Sequence, residues 1–211
     1  AGTFDAGAGN RTLAVPLALG GTHTITGGGN ITFNGSNNSV AAASVVTLGN
    51  AGAMTIDNGV AFGANLTIAA ASTGSLTING NSALNVATSI TNSSGSVLTL
   101  SNVSMSNNLT ILGLAPGVVI AGNISEDASP RSVIVTSGAL TLSGNNNYTG
   151  GTTLTAGALT INNEASLGTG TLRLTAGTFN AGAGNRTFTI PVGFGGAVTV
   201  TGGGDITFTG A

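Results

Sequence analysis

The stretch GALTLSGNNNYTGGTTLTAGALTIN, residues 138–162, decides the fold class. It contains short phrases in which aliphatic residues alternate with threonine, as in LTL at 140–142 and LTI at 159–161. Alternation with a period of two places the aliphatic side chains on one face of a strand and threonine on the other. Glycine, asparagine and serine fill the intervals and favour turns. The stretch therefore predicts short β-strands separated by tight turns.

The same phrase recurs along the chain, and no sustained helical periodicity interrupts it. Apolar-Thr-apolar triplets occupy residues 54–56, 66–68, 76–78, 98–100, 109–111, 140–142 and 159–161. Aromatic residues make up 4% of the chain, too few to fill the wide core of a β-sandwich or β-barrel. Stacked small aliphatic residues do fill the narrow interior of a solenoid. We therefore predict an all-β, right-handed parallel β-helix, a β-solenoid, with roughly twenty residues per coil.

A long internal repeat accompanies these short phrases. Residues 1–36 return as residues 176–211 at an offset of 175, and 23 of the 36 positions are identical. Tandem repetition is typical of solenoids, in which each unit packs on its neighbours. We expect a single β-solenoid over residues 1–211, in which residues 1–175 form one long module and residues 176–211 begin the next copy.

The chain is nearly uncharged. Only 5% of residues are Asp, Glu, Lys or Arg, against roughly 25% in ordinary soluble domains, and lysine is absent. Without a basic stripe, nucleic acid binding is not expected. No run of 18 apolar residues occurs, which predicts no membrane insertion in this segment. The absence of cysteine excludes disulfides and thiolate metal sites.

Catalytic chemistry finds little support in the sequence. The single histidine, His23, corresponds to Val198 in the second copy of the repeat, which favours a strand position over a catalytic base. Paired carboxylates for polysaccharide cleavage would have to come from Asp5, Asp57, Glu126, Asp127, Glu164 and Asp205.

Two of these carboxylates exchange with amides between the copies: Asp5 corresponds to Asn180, and Asp205 to Asn30. An amide keeps the hydrogen bonds of a turn but cannot act as an acid or base. Glu126 and Asp127 lie with Arg131 in a polar stretch that we expect to protrude as a loop. We predict no enzyme activity, no cofactor and no metal ion; a carbohydrate-active β-helix enzyme is the alternative.

Residues 138–174 resemble the autotransporter-associated β-strand repeat. The matching residues are Leu140, Leu142, Ser143, Gly144, Asn146, Tyr148, Thr149, Gly150, Gly151, Thr152, Gly157, Leu159, Leu167, Gly168 and Gly170. The resemblance implies a right-handed β-helix in a large secreted or surface-displayed bacterial protein, often an adhesin or a stalk. It covers about 37 residues of the chain.

Four residues are candidates for structural roles or intermolecular contacts. Arg11 and Arg186 recur in both copies inside Gly-Asn-Arg-Thr, and we expect each guanidinium to cap backbone carbonyls at a coil corner or to contact a neighbouring protomer. Tyr148 and Asn146 belong to the repeat motif. Tyr148 is predicted to be a packed anchor at a turn rather than a platform for sugar stacking.

The leading prediction is a structural or adhesive segment of an extracellular bacterial protein. Its expected partners are other copies of itself, joined end to end or laterally, and a host or neighbouring cell surface. Thr-x-Thr pairs at 22–24, 153–155 and 199–201 leave open a threonine-array surface such as an ice-binding one. Their irregular spacing along the chain argues against a regular array.

Overall fold

A computed structural model describes residues 1–49, 52–69 and 72–210. Over these residues the chain forms strands throughout, with one 3₁₀ turn at Glu164–Leu167. The strands are β1 (Gly2–Asp5), β2 (Arg11–Leu13), β3 (Ala18–Thr26), β4 (Ile31–Phe33), β5 (Ser39–Leu48), β6 (Met54–Ile56), β7 (Ala61–Phe62), β8 (Leu66–Ile68), β9 (Leu76–Leu84), β10 (Thr88–Asn92), β11 (Leu98–Met105), β12 (Leu109–Gly113), β13 (Val118–Ile120), β14 (Ile124–Glu126), β15 (Val133–Val135), β16 (Ala139–Leu142), β17 (Thr152–Leu154), β18 (Ala158–Ile161), β19 (Leu172–Leu174), β20 (Gly177–Asn180), β21 (Arg186–Phe188), β22 (Val192–Phe194), β23 (Val198–Thr201) and β24 (Ile206–Phe208).

These strands stack in parallel into three faces of one column. Face A consists of β1, β3, β5, β8, β10, β12, β15, β17, β19 and β22. Face B consists of β2, β4, β6, β9, β11, β13, β16, β18, β20 and β23. Face C contains parts of β3, β5, β9 and β11 together with β7 and β14, and the separate pair β21 and β24.

The longer strands turn a corner and serve two faces. In β11, residues 98–100 pair on face B and residues 102–105 pair on face C, with a register shift between Leu100 and Asn102. Similarly, β3 shifts register between Leu19 and Gly21, where it passes from face C to face A. Such irregularities bend a strand without ending its backbone pairing.

Ten coils of three faces result, and the predicted β-solenoid is confirmed. Paired positions on face A lie 19 to 24 residues apart, for example Val133 with Thr152 and Leu109 with Val133. The backbone N–H and C=O groups of each inner coil pair with the coils above and below. Backbone hydrogen bonds, and not ion pairs, therefore hold the coils together. A chain with 5% charged residues can therefore fold into this column.

The core is one continuous cluster of mostly aliphatic side chains inside the column, with a few aromatic rings among them. On face B, the two outer residues of each central triplet point inward and are buried, as at Leu76 and Ile78 or Leu98 and Leu100. Ladder pairing places each aliphatic directly above the one in the coil below. The alternation of aliphatic and threonine residues is thus the alternation of interior and exterior.

The two copies of the repeat keep the same internal pairing but lie on different faces. Phe4 pairs with Ile25 on face A, whereas the corresponding Phe179 pairs with Val200 on face B. The 175 residues between equivalent positions therefore correspond to a whole number of coils plus one further face, so each strand of the second copy lies one face beyond its counterpart in the first.

Candidate functional site

A column of threonine runs along face B. The central outward positions of its ten strands are in register, each paired with the next along the stack. Eight of the ten are threonine, and the column reads Thr12, Thr32, Thr55, Thr77, Thr99, Val119, Thr141, Thr160, Asn180 and Thr201. With strands ~4.8 Å apart, nine steps give a row ~43 Å long.

The Thr-x-Thr pairs of the sequence form no array among themselves, in line with their irregular spacing along the chain. The pairs at 22–24 and 153–155 lie on face A, and the pair at 199–201 lies on face B, where Thr201 provides one position of the column. The column on face B is a different feature, and it is regular because the corner loops absorb the differences in coil length. The central threonines of the triplets at 54–56, 76–78, 98–100, 140–142 and 159–161 provide five further positions, whereas the triplets at 66–68 and 109–111 lie on face A.

Asparagine side chains hold the corners of neighbouring coils together. The Asn10 Oδ1 accepts a hydrogen bond from the backbone N–H of Asn30 at 3.0 Å, and the Asn30 Oδ1 accepts one from Ala53 at 2.8 Å. The same relation joins Asn102 to Asn123 at 2.8 Å. The amide oxygen thus replaces a strand carbonyl where the chain turns, which explains why asparagine is so frequent between strands.

Asn146 bridges three coils on face C, where the strand ladder is interrupted. Its Oδ1 accepts a hydrogen bond from the Ile124 N–H at 2.7 Å, in the coil below. Its Nδ2 donates to the Ser166 carbonyl at 2.5 Å, in the coil above. One buried side chain thereby replaces the pairing that a strand would provide.

Tyr148 fills the core beside this bridge. Its ring is fully buried, and its hydroxyl lies 2.5 Å from the Thr152 Oγ1. Burial raises the pKa of the Tyr148 phenol, so the group is neutral at physiological pH. A ring in this position cannot stack on a sugar in solvent.

Arg11 and Arg186 occupy the same local setting in the two copies. The Arg11 Nε donates to the Ala6 carbonyl at 3.3 Å, and the Arg186 Nε donates to the Ala181 carbonyl at 3.0 Å. Arg186 also reaches the Asn162 carbonyl in the coil below, at 2.7 Å. Both guanidinium groups therefore donate hydrogen bonds to backbone carbonyls at a corner of the column. The predicted contact with another protomer stays a prediction.

The acidic loop after β14 is held by its own charges. Both oxygens of Asp127 accept hydrogen bonds from the Arg131 guanidinium, at 2.9 and 2.7 Å. Glu126 accepts hydrogen bonds from the Arg131 N–H and the Thr149 hydroxyl. Partial burial acts to raise the pKa of Glu126, but these hydrogen bonds outweigh it and lower that pKa. Both carboxylates therefore stabilise the loop through their hydrogen bonds to Arg131 and Thr149.

A cleft of about 310 Å³ opens where face C is interrupted, between the 3₁₀ turn and β21. Glu164 is the one ionisable residue among those that line it, and its carboxylate accepts a hydrogen bond from the Thr187 N–H at 2.6 Å.

Over residues 1–49, 52–69 and 72–210, no group of three His, Asp or Glu side chains is placed to hold a metal ion. The part of the chain that the structure describes includes no helix long and apolar enough to cross a membrane.

Sequence reasoning missed Asn38, which acts much as Asn146 does. Its Oδ1 accepts from the Leu17 N–H at 2.8 Å, and its Nδ2 donates to the Asp57 carbonyl at 2.8 Å and the Gly59 carbonyl at 3.1 Å. The residue is buried and joins the first coil to the third. One asparagine among many carries no sequence signal for such a role.

Comparisons with protein families, with curated proteins and with solved structures give no match.

Proposed function

We propose that this chain is a structural segment of a large tandem-repeat protein on the bacterial cell surface, part of a stalk, filament or adhesin, without a catalytic role. The observation that carries this proposal is the continuous column of ten coils, held by main-chain pairing and a single aliphatic core. The resemblance of residues 138–174 to the autotransporter-associated repeat supports the extracellular setting. A chain with few charges suits a spacer, and the described residues 1–49, 52–69 and 72–210 present no group of three His, Asp or Glu side chains placed to hold a metal ion.

Labelling of intact cells tests the location. Antibodies against the 211-residue chain should label unpermeabilised cells of the bacterium that encodes it, with gold particles lying outside the envelope in electron micrographs. An antibody against a cytoplasmic protein serves as the control for cell integrity. Labelling that requires permeabilisation would contradict the proposal.

The partner proposed is another copy of the chain, joined end to end. The internal repeat provides the reason, because the same residue occurs once at an end of the column and once inside it. Phe4, at the first coil, is 40% exposed, whereas the corresponding Phe179, with a coil on either side, is 0% exposed. At the other end, Val200 is 37% exposed, and its counterpart Ile25 is 4% exposed.

A further coil therefore buries apolar side chains at either end of the column. Burial of apolar area is favourable by about 25 cal/mol per Å². The end strands also present unpaired backbone groups, which another strand edge can satisfy. Both terms favour the addition of a further coil at the first and last described coils, which either a continuing chain or a second 211-residue chain supplies.

Charge at the end of the column should block this stacking. Phe194, in the last strand of face A, is 57% exposed, and Leu114, on the side of the column, is 60% exposed. We expect Phe194→Asp to weaken self-association about tenfold or more, and Leu114→Asp to leave it unchanged. Sedimentation velocity over a concentration series measures this, with scattering data to show growth in length at constant cross-section. Equal loss in both variants, or growth in width, would refute end-to-end association.

A further inference from the structure

We propose that the threonine column on face B binds ice. Its ten positions are held in register by backbone pairing, so eight threonines recur in one row at the strand spacing of ~4.8 Å, with Val119 and Asn180 at the other two positions. The water oxygens at an ice surface also recur in straight rows, at a spacing close to that between strands. A periodic protein surface of this kind fits a periodic ligand.

The threonine side chains are fixed before any ligand arrives. Thr77 and Thr99 lie half-buried between buried aliphatic neighbours. Threonine is branched at Cβ, which restricts its χ1 angle and keeps the hydroxyl and methyl of each coil in a similar orientation. Little side-chain entropy is therefore lost when the row meets an ordered surface.

The chemistry of the row argues against other ligands. Within two residues of the ten positions, the sequence carries two charged side chains, Arg11 and Asp57. The aromatic residues in these windows, Phe33 and Phe179, are buried in the core. Phosphate backbones require cations, and sugar sites usually offer aromatic rings to stack on. A neutral row of hydroxyl and methyl groups provides neither.

A second copy of the chain is a poorer occupant of the row. A strip one side chain wide and ~43 Å long provides much less than the ~800 Å² per partner of a standard protein interface. An ice surface meets the same small area, so area does not favour ice; what favours it is that a flat, repeating surface contacts the row along its whole length.

Face A has shorter runs of threonine in register, Thr3 with Thr24 and Thr47 and also Thr67 with Thr91, but no row that spans the column, and it provides the control. Its outward positions from the sixth coil upward read Thr110, Ile134, Thr153, Arg173 and Gly193. A bulky aliphatic, a cation and a glycine interrupt the threonines. Thr67 and Thr110 on face A nevertheless have the same setting as Thr77 and Thr99, half-buried between buried aliphatics.

The experiment compares the 211-residue chain with two double variants by thermal hysteresis and by partition into a growing ice hemisphere. The chain should show hysteresis that rises with concentration and should enrich in the ice. Thr77→Lys with Thr99→Lys should lose both effects, because long charged side chains break the row. Thr67→Lys with Thr110→Lys should retain both.

Circular dichroism and thermal unfolding establish that each variant is folded, and Thr77→Lys alone replaces the double variant if that one unfolds. Absence of hysteresis and ice enrichment in the unmodified chain would overturn the proposal, whatever the variants do. Equal loss on both faces would overturn it as well. Adsorption to crystalline cellulose or chitin without hysteresis would assign the row to a polysaccharide and refute ice as its ligand.

Discussion

At the scale of single residues, buried asparagine side chains make hydrogen bonds between coils that a strand would otherwise make through its backbone. Asn146 accepts from one coil and donates to another through a single side chain, and Asn38 does the same near the other end of the column. A backbone amide left unpaired in the interior is costly, so these side chains are needed wherever the ladder is interrupted. These hydrogen bonds explain why the repeat motif contains an asparagine at position 146, which the sequence pattern alone does not explain.

Replacement of this bridge should destabilise the column measurably. Asn146→Ala leaves the Ile124 N–H and the Ser166 carbonyl without their partner, at about 1–3 kcal/mol for each group. We expect a loss of about 2–6 kcal/mol in the free energy of unfolding. Urea unfolding followed by circular dichroism measures it.

The neighbouring residue provides the control for this variant. Asn145 is exposed, and the hydrogen bond it makes to Asn123 uses its backbone N–H, which alanine retains. Asn145→Ala should therefore change stability by less than about 0.5 kcal/mol. Similar losses for the two variants would show that the Asn146 bridge does not contribute as described.

At the scale of elements, each strand is short because its coil has three corners to turn. The sequence predicts the strands well, since the apolar-Thr-apolar triplets become faces A and B with the aliphatics inside. Face C could not be predicted in the same way. Its outward positions in β7 and β9 are alanine, and β7 has only two residues, so no alternation marks it.

The segment after β16 shows what replaces a strand on face C. Here the chain passes through Tyr148 in one coil and the 3₁₀ turn Glu164–Leu167 in the next. Gly168, which ends the turn, has φ of 68° and packs against Tyr148 so closely that a Cβ would collide with its carbonyl oxygen. Glycine is required there for both its backbone angle and its size.

A methyl group at Gly168 should therefore disturb the element. Gly168→Ala costs about 1–3 kcal/mol for the backbone angles alone, which essentially only glycine adopts, and displacement of Tyr148 adds to it. Thermal unfolding should show a clear fall in midpoint, and the near-ultraviolet circular dichroism of the only tyrosine should weaken. Gly95 has open space around its Cα, so Gly95→Ala serves as the control. Unchanged unfolding of Gly168→Ala would contradict the packing described.

At the scale of the whole molecule, the relation among repeats, faces and surface features becomes visible. The long repeat is evident from sequence, but the rotation of its second copy by one face depends on the summed lengths of all intervening coils. No short motif encodes that sum. The threonine column likewise depends on register between strands 19 to 23 residues apart, which varies from coil to coil. Sequence periodicity alone therefore underestimates how regular the surface is.

Distances along the threonine column test the central claim, that ten coils stack in register into one straight column. The chain has no cysteine, so pairs of spin labels can be introduced without background. Thr32 and Thr160 are six coil steps apart, and Thr12 and Thr201 are nine. Double electron–electron resonance should give separations near ~29 Å and ~43 Å, growing by ~4.8 Å per coil. Separations that do not increase with the number of coils, as in two packed sheets or a closed barrel, would contradict the account.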